Sequence, residues 1–154
     1  MKEINYNLLN SSMEALIGDL KHEISILSNA SALINMHMDE INWVGFYLLN
    51  NNELILGPFQ GKPACTNIPL NKGVCGACAT SEKTIIVDNV HEFKGHIACD
   101  SASNSEICVP IFKNTKFYGL LDIDSPIFNR FNDNDKQGLE KTVNIIEKTI
   151  NSLN

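Results

Sequence analysis

Three cysteines between Gly57 and Glu106 sit among small or polar residues: Pro63-Ala64-Cys65-Thr66, Gly73-Val74-Cys75-Gly76 and Gly95-His96-Ile97-Ala98-Cys99-Asp100. A structural cysteine usually hides in an apolar strand as a small hydrophobe. These neighbours belong to loops and turns, where reactive groups tend to be displayed. Three such thiols suffice for a nucleophile, a resolving partner and a relay, so the chemistry to expect is thiol redox. Cys99 has His96 and Asp100 close by in sequence, and cationic or hydrogen-bonding neighbours favour the reactive thiolate. Cys75 stands at the entrance to a short helix, whose free N–H groups are expected to stabilise a thiolate there.

Two further cysteines read differently. Cys78 completes a C-x-x-C spacing with Cys75 but lacks the strand-to-helix context of a thioredoxin-like site. It is expected on the buried side of a short helix. Cys108 lies in the apolar run Ile107-Cys108-Val109-Pro110-Ile111 and is expected in the core. A zinc centre is the competing reading, with Cys75, Cys78, His96 and Cys99 as ligands. It leaves Cys65 unused, along with a pair of acids on the strand Leu120-Leu121-Asp122-Ile123-Asp124-Ser125. Alternation puts Asp122 and Asp124 on one face and Leu121 and Ile123 on the other. Two acids so placed are unfavourable unless they meet a cation or share a proton. Glu106, opening the preceding strand, is placed to join them. Trp43 and Tyr47, four residues apart on a strand, share a face and can wall a small methyl-bearing group if it is the acids' face.

These residues need a scaffold. The chain has 154 residues, 44% hydrophobic and 19% charged, which suits one domain with a real core. Net charge is -6 and basic residues do not cluster, which argues against nucleic acid as partner. No apolar run reaches the ~18 residues of a membrane span, and the N-terminus lacks a secretory core. A cytoplasmic setting is expected, where five cysteines remain largely reduced.

Leu9, Met13, Leu16, Ile17, Leu20, Ile24, Leu27 and Ile34 step along a helical stripe. It serves the core or a homodimer contact, and Gly18-Asp19 can divide it. Asn42–Leu49 and Glu53–Phe59 flank an Asn50–Asn52 turn as a hairpin. A strand is expected from Cys65 to Leu70, a helix from Gly73 to Ser81 and a strand from Thr84 to Val90. His91–Asn104 reads as a functional loop. Ile107–Lys113 and Lys116–Asp124 form a second hairpin at Asn114-Thr115. Phe131–Leu153 is an amphipathic helix with Asn132 as N-cap and Asp135 three residues on. The fold class is α+β: a largely antiparallel sheet, the terminal helices on one face and the active-site loops on the other.

The ordered set Trp43-Val44-Gly45-Phe46-Tyr47, Gly57-Pro58-Phe59-Gln60-Gly61, Ala64-Cys65, Gly73-Val74-Cys75-Gly76, Gly95–Asp100, Ser105-Glu106-Ile107 and Leu121–Asp124 resembles the free methionine-(R)-sulfoxide reductases, which are built on a GAF domain. The cysteine steps of 10 and 24 residues strengthen the likeness, which runs from about Ile41 to Asp124. It implies a single GAF domain over residues 1–154 that reduces free L-methionine-(R)-sulfoxide. By this resemblance Cys99 is the nucleophile, Cys65 the main resolving cysteine, bridging to Cys99, and Cys75 an auxiliary one. Glu106, Asp122 and Asp124 are the acids that bind the substrate amine or protonate the sulfoxide oxygen. Trp43 and Tyr47 are the aromatic wall. Thioredoxin is the implied reductant, with no bound metal or organic cofactor. Cys78 and Cys108 depart from the family, which has small or aliphatic residues there. A non-enzymatic GAF sensor of a small ligand or redox state is the alternative, though a sensor normally sits beside an output domain.

Overall fold

The computed structural model of the protein describes residues 3–96 and 99–153. Leu9, Met13 and Ile17 recur at four-residue steps and are fully buried on α1 (Tyr6–Ile17). The side chain of Asn5 starts this helix by accepting from the Leu8 N–H at 3.0 Å. The stripe breaks at Gly18-Asp19 as expected, and α2 (Glu23–His37) resumes it with Ile26, Leu27, Ala30 and Ile34 inward. Leu16 and Ile24 face outward instead, 39% and 74% exposed. The stripe thus holds two side chains that the core does not use.

β1 (Trp43–Asn50) and β2 (Glu53–Gly61) form the first hairpin. Its turn residues Asn51 and Asn52 both take positive φ, a geometry asparagine tolerates and one that matches the strand twist. β5 (Ser105–Lys113) and β6 (Lys116–Ser125) form the second, turning at Asn114-Thr115 with φ again positive at both. With β3 (Asn67–Pro69) and β4 (Ile85–Val87) they make one antiparallel sheet in the order β3-β2-β1-β6-β5-β4.

Alternation gives the sheet two apolar faces. Val44, Phe46, Ile107, Val109, Ile111, Leu121 and Ile123 pack with α1, α2 and α4 (Asp133–Asn151). Trp43, Tyr47, Cys108 and Leu120 pack on the other face with α3 (Gly73–Ser81), β3 and the loop after β4. Each buried aliphatic or aromatic side chain contributes ~1.5–3 kcal/mol, so this double pattern fixes the register. α4 begins on the expected capping box: Asn132 accepts from the Asp135 N–H at 3.0 Å and Asp135 accepts from the Asn132 N–H at 2.9 Å. No described helix is long and apolar enough to cross a membrane.

Three expected boundaries move. The strand expected over Cys65–Leu70 is only Asn67–Pro69, because Cys65 is drawn aside into a disulfide. The strand expected over Thr84–Val90 is only Ile85–Val87. Its partner β5 begins at Ser105, one residue past the Glu106 that pairs with Val87, so the ladder runs out before Asn89. Asn89 then caps a 3-10 turn over Val90–Glu92 by accepting from the His91 N–H at 3.0 Å, so the His91–Asn104 loop starts with an ordered turn. Ile97 and Ala98 of that loop lie outside the described residues.

Candidate functional site

The face opposite the terminal helices holds a cleft lined by Trp43, Tyr47, Cys75, Cys99, Glu106, Asp122 and Asp124, but not by Cys65 or Cys78. Cys65 is bonded through its sulfur to Cys99, which does line it, with 5.6 Å between their Cα atoms. The pairing implied by the resemblance is therefore the one present.

β1 supplies the wall. Trp43 and Tyr47 stack at 5.8 Å between ring centroids, and Trp43 stacks on Phe59 of β2 at 5.2 Å. Gly45 stands between them on the same face. A Cβ there would come within 2.3 Å of the Phe59 Cβ and 2.7 Å of the Trp43 ring, so only glycine permits this stack. The Trp43 indole N–H donates to the Lys62 carbonyl at 3.2 Å and the Tyr47 hydroxyl to the Cys65 carbonyl at 2.9 Å. Tyr47 thus anchors the Cys65 loop as well as walling the cleft. Burial, then the charges of Asp122 and its neighbours, hold this phenol protonated and able to donate.

β5 and β6 supply the floor. Their register pairs Glu106 with Asp124 and Cys108 with Asp122. Alternation therefore delivers three acids and one thiol to one patch, with Glu106 and Asp122 buried and Asp124 partly so. All three carboxyls are raised above the ordinary range, Glu106 and Asp124 well above it. Burial is the main cause in each. The Asp122 charge adds to it at Glu106 and Asp124, while hydrogen bonds from Glu106, Cys108 and Cys75 partly offset it at Asp122.

α3 lays Cys75 over that floor. A helix entrance favours a thiolate in isolation, but here the expectation is overturned. The hydrogen bond with Cys108 favours the thiolate, yet burial and the charges of Asp122 and Asp124 outweigh it and push the thiol up to about 12. Cys75 is a buried thiol at neutral pH. Cys78 is fully buried in the second core, as expected, and burial raises it too. Cys108 is buried as expected but is more than filler. Its sulfur lies 3.5 Å from a Glu106 oxygen and 3.3 Å from an Asp122 oxygen. Glu106 and Cys108 are two residues apart on one strand, so alternation alone places them together.

The loop carrying Cys99 is tied at both ends. The Gly73 N–H donates to the Gly95 carbonyl at 3.0 Å, both glycines having positive φ, which joins the start of α3 to the loop. The Asn42 side chain donates to Asp100 at 3.0 Å and to Ser103 at 3.1 Å. Asn42 carries no signal of this role in the sequence; it precedes the first strand residue, and only the tertiary fold brings it across to the loop. His96 lines the cleft with its pKa lowered, mainly by burial and then by His91, so it offers a neutral imidazole. The structure does not bring the four residues of the zinc reading together: Cys99 is bonded to Cys65 and Cys78 faces the core.

The raised acids imply a pH dependence. Glu106 binds its proton more tightly in the folded chain than in the unfolded one. Its stabilising effect is full below its ordinary value of about 4.5 and is lost as pH rises toward the higher folded value. Thermal melts of the ligand-free, reduced protein are expected to fall from about pH 5 to about pH 8, and to fall less in Glu106→Gln. Parallel profiles for the two proteins would show that Glu106 is not held protonated by the fold.

The family model for the GAF domain matches residues 22–150. The chain is 46% identical over 145 residues to the free methionine-R-sulfoxide reductase of Escherichia coli K12, covering 94% of this chain and 88% of that protein. The reduced form of Staphylococcus aureus fRMsr superposes with a TM-score of 0.94 at 60% identity, covering 97% of each chain. The same protein in complex with substrate gives 0.94 at 59% identity, over 97% of this chain and 98% of that one. An aromatic wall, an acidic floor and a bridged cysteine pair thus occupy a fold shared over nearly its whole length with these relatives, and the chain belongs to the free methionine-R-sulfoxide reductases, enzymes built on a GAF domain.

Proposed function

We propose that this protein reduces free L-methionine-(R)-sulfoxide to L-methionine, with Cys99 as nucleophile, Cys65 as resolving cysteine and thioredoxin as reductant. The observation that carries this reading is the Cys65–Cys99 disulfide at a cleft floored by buried, proton-holding acids. The family membership adds to it.

In the reduced protein the substrate ammonium meets Glu106, Asp122 and Asp124, and the methyl-sulfur end lies against Trp43 and Tyr47. Three neighbouring acids facing one ammonium do not all ionise, since like charges in a buried site raise one another's pKa. One proton therefore stays on the floor, at Glu106 or Asp124, for the sulfoxide oxygen. The Cys99 thiolate attacks the substrate sulfur as that oxygen is protonated. The S–O bond breaks, oxygen passes to Cys99 as a sulfenic acid, and methionine leaves reduced by two electrons. The Cys65 thiol then displaces that oxygen as water, closing the disulfide. A thioredoxin dithiol reduces the bridge by exchange and becomes a disulfide itself. Both bridged cysteines are only partly buried, which suits an external reductant and a cytoplasmic cycle. Cys75, with its high thiol pKa, serves as a slower auxiliary resolver. No metal or organic cofactor enters the cycle.

The test is a peptide map without reduction, made after reduced protein has consumed free methionine-(R)-sulfoxide. A dominant Cys65–Cys99 bridge, matched by methionine released, is expected. A dominant Cys75–Cys78 bridge, or no methionine, would overturn the assignment.

A further inference from the structure

Four ligand atoms converge beneath the cleft: the sulfurs of Cys75 and Cys108 and one oxygen each from Glu106 and Asp122, all within 4.8 Å of one another. Cys108 Sγ is 3.6 Å from Cys75 Sγ, 3.5 Å from Glu106 Oε2 and 3.3 Å from Asp122 Oδ1. Cys75 Sγ is 3.8 Å from the same Glu106 oxygen. A tetrahedron with Zn–S bonds of ~2.3 Å and Zn–O bonds of ~2.0 Å has edges of ~3.8 Å between sulfurs and ~3.5 Å from sulfur to oxygen. Those four spacings lie within a few tenths of an ångström of these edges.

The scaffold is rigid. Glu106 and Cys108 share a face of β5, Asp122 is the register partner of Cys108 on β6, and Cys75 descends from the first turn of α3. Glu106, Asp122, Cys75 and Cys108 are all over nine-tenths buried, and a thiol is only a weak hydrogen-bond donor to a carboxylate. Among the described residues the ion pair formed is Arg130–Asp135, so no basic side chain is ion-paired with this floor, although Lys72 lines the cleft. Cys75, Glu106 and Asp122 line the cleft, which gives an ion a way in.

The geometry points to a metal site, Cys75, Glu106, Cys108 and Asp122, that takes one thiophilic divalent cation of the zinc class in the reduced protein and excludes substrate while it is occupied. Two thiolates reject the hard cations magnesium and calcium. With two thiolates and two carboxylates the centre has the net charge of a zinc site built from four thiolates, a common arrangement. Binding is not a redox step. Two S–Zn and two O–Zn bonds form, and the thiol and carboxyl protons leave to solvent. Glu106 and Asp122 are the acids assigned above to the substrate ammonium, so the exclusion rests on the proposed reductase reading, whereas the binding does not.

Cobalt(II) and zinc titrations would be run on the reduced Cys65→Ser/Cys99→Ser protein, which removes the loop thiols as rival ligands. One equivalent of cobalt is expected to give a thiolate-to-metal charge-transfer band of two-thiolate intensity, displaced by zinc, with proton release. Adding Cys108→Ser is expected to weaken zinc more than the ~10–100-fold typical of losing an outer partner. Glu106→Gln gives a second variant should Cys108→Ser fold poorly, as judged by circular dichroism. No charge-transfer band, or an affinity unchanged by either variant, would overturn the site. For the exclusion, methionine formed in one turnover by pre-reduced wild type is measured with and without zinc. Loss that is relieved in Cys108→Ser supports it, and equal loss in both would place the inhibitory zinc on the loop thiols instead. Zinc binding without any methionine formation in zinc-free wild type would sink the reductase reading and leave the metal site standing.

Discussion

Cys99→Ser is expected to form no methionine even in the first turnover, while Cys65→Ser completes one turnover and then stalls. The nucleophile is needed before any product exists; the resolving thiol is needed only to return Cys99 to use. Loss of a nucleophile removes the covalent route itself, an effect on the order of 10³-fold or more in kcat. Cys65→Ser instead leaves the acids, the aromatic wall and the attack on sulfur in place. Its first methionine is expected at the wild-type rate and its steady state to fall sharply with thioredoxin. Cys75 retains a thiol over the same floor but holds its proton up to about 12, so any rescue through it is slow. Methionine counted per enzyme without reductant separates the two variants. A stoichiometric first turnover by Cys99→Ser would show that another thiol attacks.

The second large effect concerns substrate size and charge. Free methionine-(R)-sulfoxide is expected to exceed its N-acetyl form by ~100-fold or more in kcat/KM. A charge-assisted hydrogen bond from the ammonium is worth ~1.5–3 kcal/mol, and ~1.4 kcal/mol is a factor of ten. Acetylation removes that charge, leaves the floor of Glu106, Asp122 and Asp124 without a cation and adds bulk under the tied Cys99 loop. The penalties reinforce one another because the acids are buried, where an unpaired group costs most. Comparable values for the two substrates would show that the acids do not read the amine.

Much of this site is written in strand alternation. Asp122 and Asp124 against Leu121 and Ile123, and Trp43 with Tyr47, need only the two-residue period to be put on their faces. The hairpin at Asn51-Asn52 and the capping box at Asn132 are local chemistry, and local chemistry stays visible in one dimension. What stays hidden depends on tertiary packing. Cys75 reads as activated because a helix entrance is a local feature; the acids that reverse the effect come from β5 and β6. Cys108 reads as plain core because apolar neighbours fill its strand, yet its two-residue step from Glu106 carries the signal. Asn42 reaches Asp100 and Ser103 only once β1 and the Cys99 loop are brought together. β4 stops after Val87 because its partner β5 starts at Ser105, one residue past the Glu106 that pairs with Val87.

The proposed reaction takes one diastereomer of one small free amino acid. It is tested most directly by counting methionine released from separate free methionine-(R)- and (S)-sulfoxide, with dithiothreitol or thioredoxin as reductant. The arrangement of one nucleophile, one acidic floor and one aromatic wall around a single sulfur centre predicts turnover of the R form and little or none of the S form. Equal turnover of both, or of neither, would contradict it.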